Sequence, residues 1–248
     1  MSILANIKAV IFDYIGTLVN CRSYSMDASR EKLFNAVWDA GFNVDRQDFL
    51  DAYIKAHEKY RIIRYKQLKE VTNAVWVAEA LSELGYAVNA DDSRVKDVLS
   101  VFFKDYVDSL TLRQGAKKLI KKASEQCKLG LISNFTYAPV VYSSLKQMGI
   151  NKFFNAIVVS EANGYRKPSE HIFNEALDKL QVKACEAVYV GDSPVEDIKG
   201  AKKVGLRAVF VESQFYKLSD LLESRQKPDF SAANLQEVYA HLEEIMGS

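Results

Sequence analysis

Residues 7–17 read IKAVIFDYIGT, and this stretch decides the fold. Its first part, residues 7–12, is a short run of apolar and β-branched residues that predicts a buried strand. The run ends at Asp13, and Gly16 follows within a predicted turn. Asp13 therefore stands at the carboxyl end of a strand, which is where open α/β sheets bind ligands.

Four similar runs recur further along the chain, and an amphipathic segment of helical length separates each from the next. This alternation predicts an α/β fold with a Rossmann-like parallel sheet and crossover helices. The runs occupy residues 129–132, 156–159, 187–190 and 208–211.

The stretch between the first two predicted strands, residues 27–110, breaks the alternation. Its apolar residues recur with helical spacing in four sets. Because the stretch is too long for a loop in a compact domain, we predict an all-α, four-helix domain inserted into the sheet domain. The predicted division assigns residues 1–18 and 112–248 to the α/β core and residues 19–111 to the insertion.

The 248-residue chain is balanced in charge, with 33 Lys and Arg against 32 Asp and Glu. Its 48% hydrophobic content excludes an intrinsically disordered chain, and its net charge of +1 gives no overall field for nucleic acid or an anionic membrane. Cys21, Cys127 and Cys185 are far apart, so neither a disulfide framework nor a thiolate zinc site is predicted. No apolar run is long enough for a signal segment or a membrane span. We expect a cytoplasmic protein without nucleic-acid or membrane partners, and the sequence does not set its oligomeric state.

Polar residues also follow the other predicted strands, so ligand-binding side chains are expected to gather at one edge of the sheet. The sequence contains no Walker A loop, no dinucleotide fingerprint and no serine-hydrolase elbow. The gathered residues are Ser133 and Asn134 after the second predicted strand, Lys167 before Pro168, and Asp192 and Asp197 within GDSPVEDIKGA at residues 191–201.

Asp13 and two of these residues are acidic, and together they predict a metal site. Asp13, Asp192 and Asp197 would repel one another at one sheet edge unless a cation or a proton intervened, and a set of oxygen ligands suits Mg²⁺. With the metal in place, Lys167 and Ser133 add a positive charge and a hydroxyl donor. Together these groups describe a cradle for a phosphoryl group, in which Asp13 can attack phosphorus.

These motifs and their order resemble the haloacid dehalogenase-like hydrolase superfamily, whose members carry D-x-D-x-T, a Ser or Thr after the second strand, a Lys and a Gly-Asp acidic pair. Asp13 and Thr17 match the first motif, Ser133 the second and Lys167 the third. The resemblance implies that the helical insertion is a cap domain. It also implies hinges where the chain crosses between core and cap, near residues 18–22 and 110–114.

The resemblance further implies a role for each matched residue. Mg²⁺ is expected on Asp13, Asp192 and the backbone carbonyl of Ile15, with Asp197 orienting water or acting through the ligands. The catalytic set is then Asp13, Thr17, Ser133 and Lys167, and the phosphate-binding set is Ser133, Asn134 and Lys167. The expected substrate is a small phosphorylated metabolite, hydrolysed through an aspartyl-phosphate.

Ile15 departs from the family pattern, which places a second Asp two positions after the nucleophile. By the resemblance, that Asp protonates the leaving alcohol and later activates water, and an isoleucine side chain can do neither. The loss of a positioned acid and base typically costs about 10²–10⁴ in rate. We therefore expect slow hydrolysis of alkyl phosphates.

Three other functions stay open at this point. A 2-haloacid dehalogenase also uses a nucleophilic Asp without the second Asp, although that branch lacks the Gly-Asp acidic pair. A catalytically impaired member that binds a phosphate or a protein partner is the non-enzymatic alternative, and Ile15 is the feature that suggests it. A phosphonatase ranks lower, because it needs a Schiff-base lysine from the cap and no cap lysine can be singled out.

Overall fold

The strand predicted at residues 7–12 is β1, Ala9–Asp13, and all five of its residues are buried. β1 pairs in parallel with β4 (Lys128–Ser133) on one side and with β6 (Ala187–Gly191) on the other. The computed structural model describes residues 6–22 and 25–247, and β1 lies at the centre of its main sheet. The central position explains why the strand is apolar on both faces.

The main sheet has six strands within the described residues, and every pairing in it is parallel. Its outer strands are β5 (Ala156–Val159), β7 (Arg207–Val211) and β8 (Phe230–Ala232), and the order is β5-β4-β1-β6-β7-β8. The predicted α/β fold is confirmed, and all five predicted runs are strands. β8 was not predicted, because three residues at a sheet edge leave no recognisable apolar run.

The predicted insertion contains four helices in its described part. α1 begins after Ser25 and α2 after Asp45, and both side chains accept hydrogen bonds from backbone N–H groups of the first turn. α1 packs against α4 and α2 against α3, which buries the apolar face of each helix. The helices are α1 (Met26–Asp39), α2 (Arg46–Lys66), α3 (Asn73–Glu83) and α4 (Ser93–Ser109).

The chain passes between core and insertion twice, and the two passing segments pair as a two-stranded antiparallel ribbon. The sequence did not predict this ribbon. It pairs β2 (Val19–Cys21) with β3 (Leu110–Leu112). Next to it, the guanidinium of Arg113 donates to the carbonyls of Gly16, Thr17 and Glu212. The predicted hinges and the predicted boundaries at residues 18–19 and 111–112 fall in or beside this ribbon, and both remain predictions.

The remaining helices cover the two faces of the sheet and include several short segments. None of the helices in residues 6–22 and 25–247 is long and apolar enough to cross a membrane. The helices outside the insertion are α5 (Ala116–Ser124), α6 (Ala138–Gln147), α7 (Ser160–Asn163), α8 (Glu170–Leu180), α9 (Gly200–Lys203), α10 (Leu218–Ser224), α11 (Leu235–Ala240) and α12 (Leu242–Met246). Shorter 3₁₀ turns lie at Asn151–Phe153 and Ala184–Glu186, and a π-helical turn lies at Pro194–Lys199.

Glu70, between α2 and α3, ties the insertion to the core through a buried ionic cluster. Its side chain is fully buried and accepts from Arg64 Nε at 2.6 Å and from Ser160 Oγ at 2.5 Å. Arg166 Nη1 of the core lies 3.7 Å from the second carboxylate oxygen. One carboxylate thus lies between two nearly buried guanidinium groups, of which Arg166 also pairs with Glu196 at 3.0 Å.

Glu70→Gln should therefore lower the free energy of unfolding by about 2 kcal/mol, because two buried cations lose their common anion. Denaturant unfolding measures the change. Glu83→Gln is the matched control, since Glu83 pairs with Lys55 at the surface, and it should change stability by no more than about 0.5 kcal/mol. Equal effects of the two substitutions would show that the cluster does not stabilise the fold.

Candidate active site

The sheet edge brings together the three acidic residues predicted from the sequence. Asp13 ends β1, Asp192 follows β6, and Asp197 lies in the π-helical turn after it. All three are buried, and one carboxylate oxygen of each lies within 4.8 Å of the others. Parallel pairing produces this convergence, because it places the carboxyl ends of neighbouring strands side by side.

Lys167 lies in the middle of this acidic set and is 1% exposed. Its Nζ donates to Asp13 Oδ1 at 2.6 Å and to Asp197 Oδ1 at 2.6 Å. Burial alone would lower the pKa of Lys167, but the carboxylates of Asp13 and Asp197 raise it well above its usual value. Lys167 therefore stays protonated and places its positive charge next to Asp13, the predicted nucleophile.

Tyr189 of β6 is a member of this cluster that the sequence analysis missed. Its hydroxyl accepts from Lys167 Nζ at 2.9 Å and donates to Asp197 Oδ1 at 2.9 Å. Burial and the neighbouring Asp197 raise the pKa of Tyr189 well above its usual value, so it stays a neutral donor. A tyrosine within an otherwise apolar buried strand was the available signal, because a buried phenol needs a hydrogen-bond partner.

Asp197 uses both carboxylate oxygens inside the protein. Oδ1 accepts from Lys167 and Tyr189, and Oδ2 accepts from the backbone N–H groups of Asp192 at 3.1 Å and Ser193 at 2.8 Å. These four hydrogen bonds fix Lys167 and the loop that carries Asp192. The contacts favour the indirect role foreseen for Asp197 over direct coordination of a metal.

Asp192 is oriented by two hydroxyl groups. Thr17 Oγ1 donates to Oδ1 at 3.3 Å, and Ser213 Oγ donates to Oδ2 at 2.6 Å. Ser213, two residues beyond β7, in turn accepts from the N–H groups of Phe215 and Tyr216. Burial, with Asp13 and Asp197 nearby, raises the pKa of Asp192 well above its usual value. Sequence analysis missed Ser213, since no motif marks a lone serine after the fifth predicted strand.

The second carboxylate oxygen of Asp13, Oδ2, is buried and has no hydrogen-bond partner among the described residues. Burial raises the pKa of Asp13 to about 6, against the lowering effect of Lys167. A buried carboxylate oxygen without a partner is costly, and the Asp13 carboxylate also has an oxygen within 4.8 Å of one from Asp192. This oxygen-rich, anionic donor set fits a divalent cation such as Mg²⁺.

Gly16 makes room for this arrangement. Its φ of +105° lies in the region that favours glycine, and a β-carbon placed there would come within 2.4 Å of Asp192 Oδ2. In this turn, the carbonyl oxygen of Tyr14 accepts hydrogen bonds from the backbone N–H groups of Leu18 and Val19. The N–H of Gly16 donates to the carbonyl oxygen of Val19. These bonds do not engage the carbonyl of Ile15, the one predicted to face the metal.

Asn134, predicted to bind phosphate, has another task in the structure. Its side-chain oxygen accepts from the N–H of Lys167 at 2.7 Å, and its amide nitrogen donates to the carbonyl of Lys167 at 3.1 Å and to Glu196 Oε2 at 3.0 Å. The side chain therefore holds the backbone of Lys167 in place. A contact between Asn134 and phosphate remains a prediction, and its side-chain donors are already engaged.

A cavity of about 380 Å³ opens over the carboxylates. Asp13, Ile15 and Ser133 line its floor, and Tyr65, from α2 of the insertion, lines it from the other side. Arg166 also lines it, with its guanidinium 4.5 Å from the centre of the Tyr65 ring. The volume suits a small molecule held between core and insertion.

Comparison with known families agrees with this geometry. The family model of the haloacid dehalogenase-like hydrolases matches residues 7–205, which is most of the chain. The chain belongs to this family. The resemblance found in the sequence motifs is thereby confirmed.

Curated relatives of this haloacid dehalogenase-like hydrolase include two archaeal phosphatases. The glyceraldehyde 3-phosphate phosphatase of Methanopyrus kandleri is 27% identical over 96% of this chain and 98% of that protein. The ribulose-1,5-bisphosphate 5-phosphatase of Halopiger xanaduensis is 24% identical over 93% of this chain and 97% of that protein. Among solved structures, a 2-haloacid dehalogenase from Pseudomonas syringae has a TM-score of 0.68 at 21% identity, covering 97% of this chain and 98% of that one. That likeness shows the shared fold.

Ile15 is where this hydrolase departs from the family motif, and the structure places it in the lining of the cavity over the carboxylates. The side chain is half-buried and lines the cavity beside Asp13. Ile15 has no group that can exchange a proton. The family position for an acid and base is thus occupied here by a hydrocarbon.

Proposed function

We propose that this hydrolase is a Mg²⁺-dependent phosphatase that acts on a small phosphorylated metabolite through an aspartyl-phosphate on Asp13. The observation that carries the proposal is the Asp13 carboxylate, which has one oxygen hydrogen-bonded to Lys167 and the other buried without a partner among the described residues, and which lies beside the carboxylate of Asp192. The phosphatase names of the curated relatives support the same reaction class.

Asp13, Asp192 and the carbonyl of Ile15 would hold Mg²⁺, with Asp197 acting through Lys167 and the loop of Asp192. When bound, the metal would supply positive charge that offsets the carboxylates and the phosphoryl oxygens. Lys167 contributes a second, permanent cation. Ser133 contributes a hydroxyl donor at the cavity floor, and Thr17 keeps Asp192 in orientation.

The reaction has two steps at phosphorus. In the first, an oxygen of Asp13 forms a bond to phosphorus while the bond between phosphorus and the ester oxygen breaks, which releases the alcohol as its anion. In the second, water attacks the same phosphorus, the bond to Asp13 breaks, and inorganic phosphate leaves. Ile15 donates no proton in the first step and accepts none in the second, so both steps depend on solvent for proton transfer.

A rapid-mixing assay with an aryl phosphate and Mg²⁺ tests this proposal. We expect a burst of the aryl alcohol equal to the enzyme concentration, followed by slow turnover, because the aspartyl-phosphate forms faster than water removes it. A steady rate from the first turnover, with alkyl esters hydrolysed as fast as aryl esters, would show that another group supplies the acid and base.

The 2-haloacid dehalogenase alternative shares the attack by Asp13 and is compatible with Ile15. The buried carboxylate of Asp192 beside that of Asp13 argues against it, because two adjacent carboxylates hinder the approach of an anionic haloacid unless a cation is bound. Release of chloride from 2-chloropropionate, with no phosphate released from any ester, would favour the dehalogenase. Tight binding of phosphate analogues without any turnover would favour the impaired binding protein.

Asp192→Asn should weaken Mg²⁺ binding by roughly 10²-fold or more, because it removes one of the charged ligands. Ser213→Ala should weaken it by about 10–100-fold, since the carboxylate loses the hydroxyl that orients it. Calorimetric titration with MgCl₂ measures both affinities. Ser213→Thr keeps the hydroxyl and serves as the control. Unchanged affinity in Asp192→Asn would overturn the assignment of the metal ligands.

A further inference from the structure

Arg113 lies where the chain returns from the insertion to the core, one residue beyond β3. Nη1 of its guanidinium donates to the carbonyl oxygens of Gly16 at 2.6 Å and Thr17 at 3.1 Å. Nη2 donates to the carbonyl oxygen of Glu212 at 2.5 Å. The acceptors belong to the loops after β1 and β7, so one side chain fastens together two loops that are far apart in the sequence.

The same two loops carry the hydroxyl groups that orient Asp192. Thr17 donates to one carboxylate oxygen of Asp192 from the loop after β1, and Ser213 donates to the other from the loop after β7. The guanidinium of Arg113 binds the carbonyl of Thr17 itself and the carbonyl of the residue immediately before Ser213. Both hydroxyl donors are therefore attached to backbone that Arg113 holds.

An arginine suits this task because its guanidinium is planar and presents its N–H donors in a rigid fork. Nη1 and Nη2 of Arg113 bind different loops, so one rigid group sets the spacing between the loops. Hydrogen bonds from a charged donor are also stronger than those from a neutral one. A lysine ammonium is a single point on a flexible stem, and it would not fix this spacing in the same way.

Arg113 also places a positive charge near the acidic residues. Burial lowers the pKa of Arg113, and the nearby carboxylate of Asp192 opposes that shift. The guanidinium stays protonated, so this charge is permanent. The charge alone would weaken Mg²⁺ binding by repulsion, whereas correct orientation of the Asp192 carboxylate would strengthen it. The two effects of Arg113 have opposite signs, so substitutions can separate them.

We infer that Arg113 is a positioning residue for the Mg²⁺ site, and that it raises Mg²⁺ affinity by fixing the two loops whose hydroxyl groups orient Asp192. The inference rests on the proposed Mg²⁺-dependent function and extends the metal site to a residue outside the matched motifs. The backbone N–H of Arg113 donates to the carbonyl of Leu18 at 2.9 Å, which continues the ribbon between core and insertion. The metal site is thereby joined to this ribbon.

Calorimetric titration with MgCl₂ tests the inference on two variants. Arg113→Lys keeps the charge without the fork, and Arg113→Met keeps a long side chain without donors or charge. We expect each to bind Mg²⁺ about three- to tenfold more weakly than the wild type, a smaller loss than for Ser213→Ala because both hydroxyl groups remain. Wild-type affinity in Arg113→Lys would overturn the inference, since charge would then suffice. Tighter binding in Arg113→Met would overturn it as well, since repulsion would then be the main effect of Arg113.

Arg22→Met is the matched control, because Arg22 is an exposed arginine that directly follows β2 of the same ribbon. It should keep the wild-type affinity for Mg²⁺, and a loss equal to that in Arg113→Met would mean that the three carbonyl contacts are not the cause. Thermal unfolding without Mg²⁺ shows that each variant is folded at the titration temperature. If Arg113→Met does not fold, Arg113→Lys decides the test.

Arg113 and Ser213 should not act independently. Arg113→Lys should cost less Mg²⁺ affinity in a Ser213→Ala background than in the wild type, because one of the two hydroxyl groups that Arg113 positions is already absent. Fully additive losses would contradict the proposed route through the loops. A wild-type protein that binds no Mg²⁺ would contradict the proposed function, whereas wild-type Mg²⁺ binding that Arg113→Lys leaves unchanged would contradict this inference alone.

Discussion

Asp13→Asn is expected to reduce phosphate release by roughly 10⁴-fold or more and to abolish the burst of aryl alcohol. The substitution preserves the shape of the side chain and an oxygen that can accept from Lys167. It removes the negative charge and the nucleophilicity that attack on phosphorus requires. Stopped-flow measurement of 4-nitrophenol release from 4-nitrophenyl phosphate follows both phases.

The fold of this variant should be unaffected, because a neutral amide in place of the Asp13 carboxylate reduces the repulsion among three buried acidic groups. Lys167 also keeps Asp197 and Tyr189 as partners. Thermal unfolding provides the check. Asp220→Asn, in the first turn of α10, is the control, because the Asp220 carboxylate accepts from the backbone N–H of Lys217; this variant should keep the wild-type burst. A burst of wild-type size in Asp13→Asn would mean that another residue is the nucleophile.

Ile15→Asp is expected to change activity in the opposite direction, by about 10²–10⁴-fold in the steady-state rate. The half-buried Ile15 lines the catalytic cavity, and Asp is smaller than Ile, so the new carboxylate has space beside the reacting atoms. It can activate water against the aspartyl-phosphate and protonate a departing alkoxide. Alkyl phosphates should therefore become substrates. The burst should be lost, because breakdown of the aspartyl-phosphate is no longer the slow step, and the steady-state rate should be higher.

Ile15→Asn is the matched control for this gain. It has nearly the same shape as Ile15→Asp and the same backbone carbonyl, but its amide does not exchange a proton at neutral pH. We expect it to retain the burst and the slow turnover of the wild type. Equal acceleration by Ile15→Asn and Ile15→Asp would mean that the wild-type rate is limited by the size of Ile15, which restricts the access of water. The missing acid and base would then not be the cause of slow turnover.

The sequence predicted most of the side chains that gather at this sheet edge, because these residues follow the ends of strands. Parallel strands place their carboxyl ends at one edge, so Asp13, Ser133 and Asp192 were expected to converge before any contact was known. Lys167 was placed by the resemblance of its motif. Contacts in the structure then join Lys167 and Asp197 to Asp13 in one hydrogen-bond cluster.

The missed residues depend on packing between distant parts of the chain. Ser213 meets Asp192 only because β7 lies next to β6, and Tyr189 meets Lys167 only after the loop before α8 folds over the sheet. A single serine and a single tyrosine have no spacing that marks them in a sequence. The engaged amide of Asn134 was equally hidden, since its partner is a backbone group 33 positions away.

At the junction between core and insertion, the sequence predicted the inserted helices but not the two short strands that pair there. Helical periodicity gave the four helices, whereas β2 and β3 have three residues each and become strands only by pairing with one another. Glu70 and Arg166 are charged residues that sequence patterns assign to the surface. Their burial follows from mutual neutralisation across the junction.

Covalent capture of the phosphorylated enzyme tests the central claim most directly. The wild-type protein, mixed with an aryl phosphate and Mg²⁺ and quenched in acid during the burst, is analysed by intact mass and by peptide mapping. The mechanism predicts the added mass of one phosphoryl group on the peptide that contains Asp13, with none in Asp13→Asn. A phosphoryl group on another residue, or none at the peak of a measured burst, would contradict it.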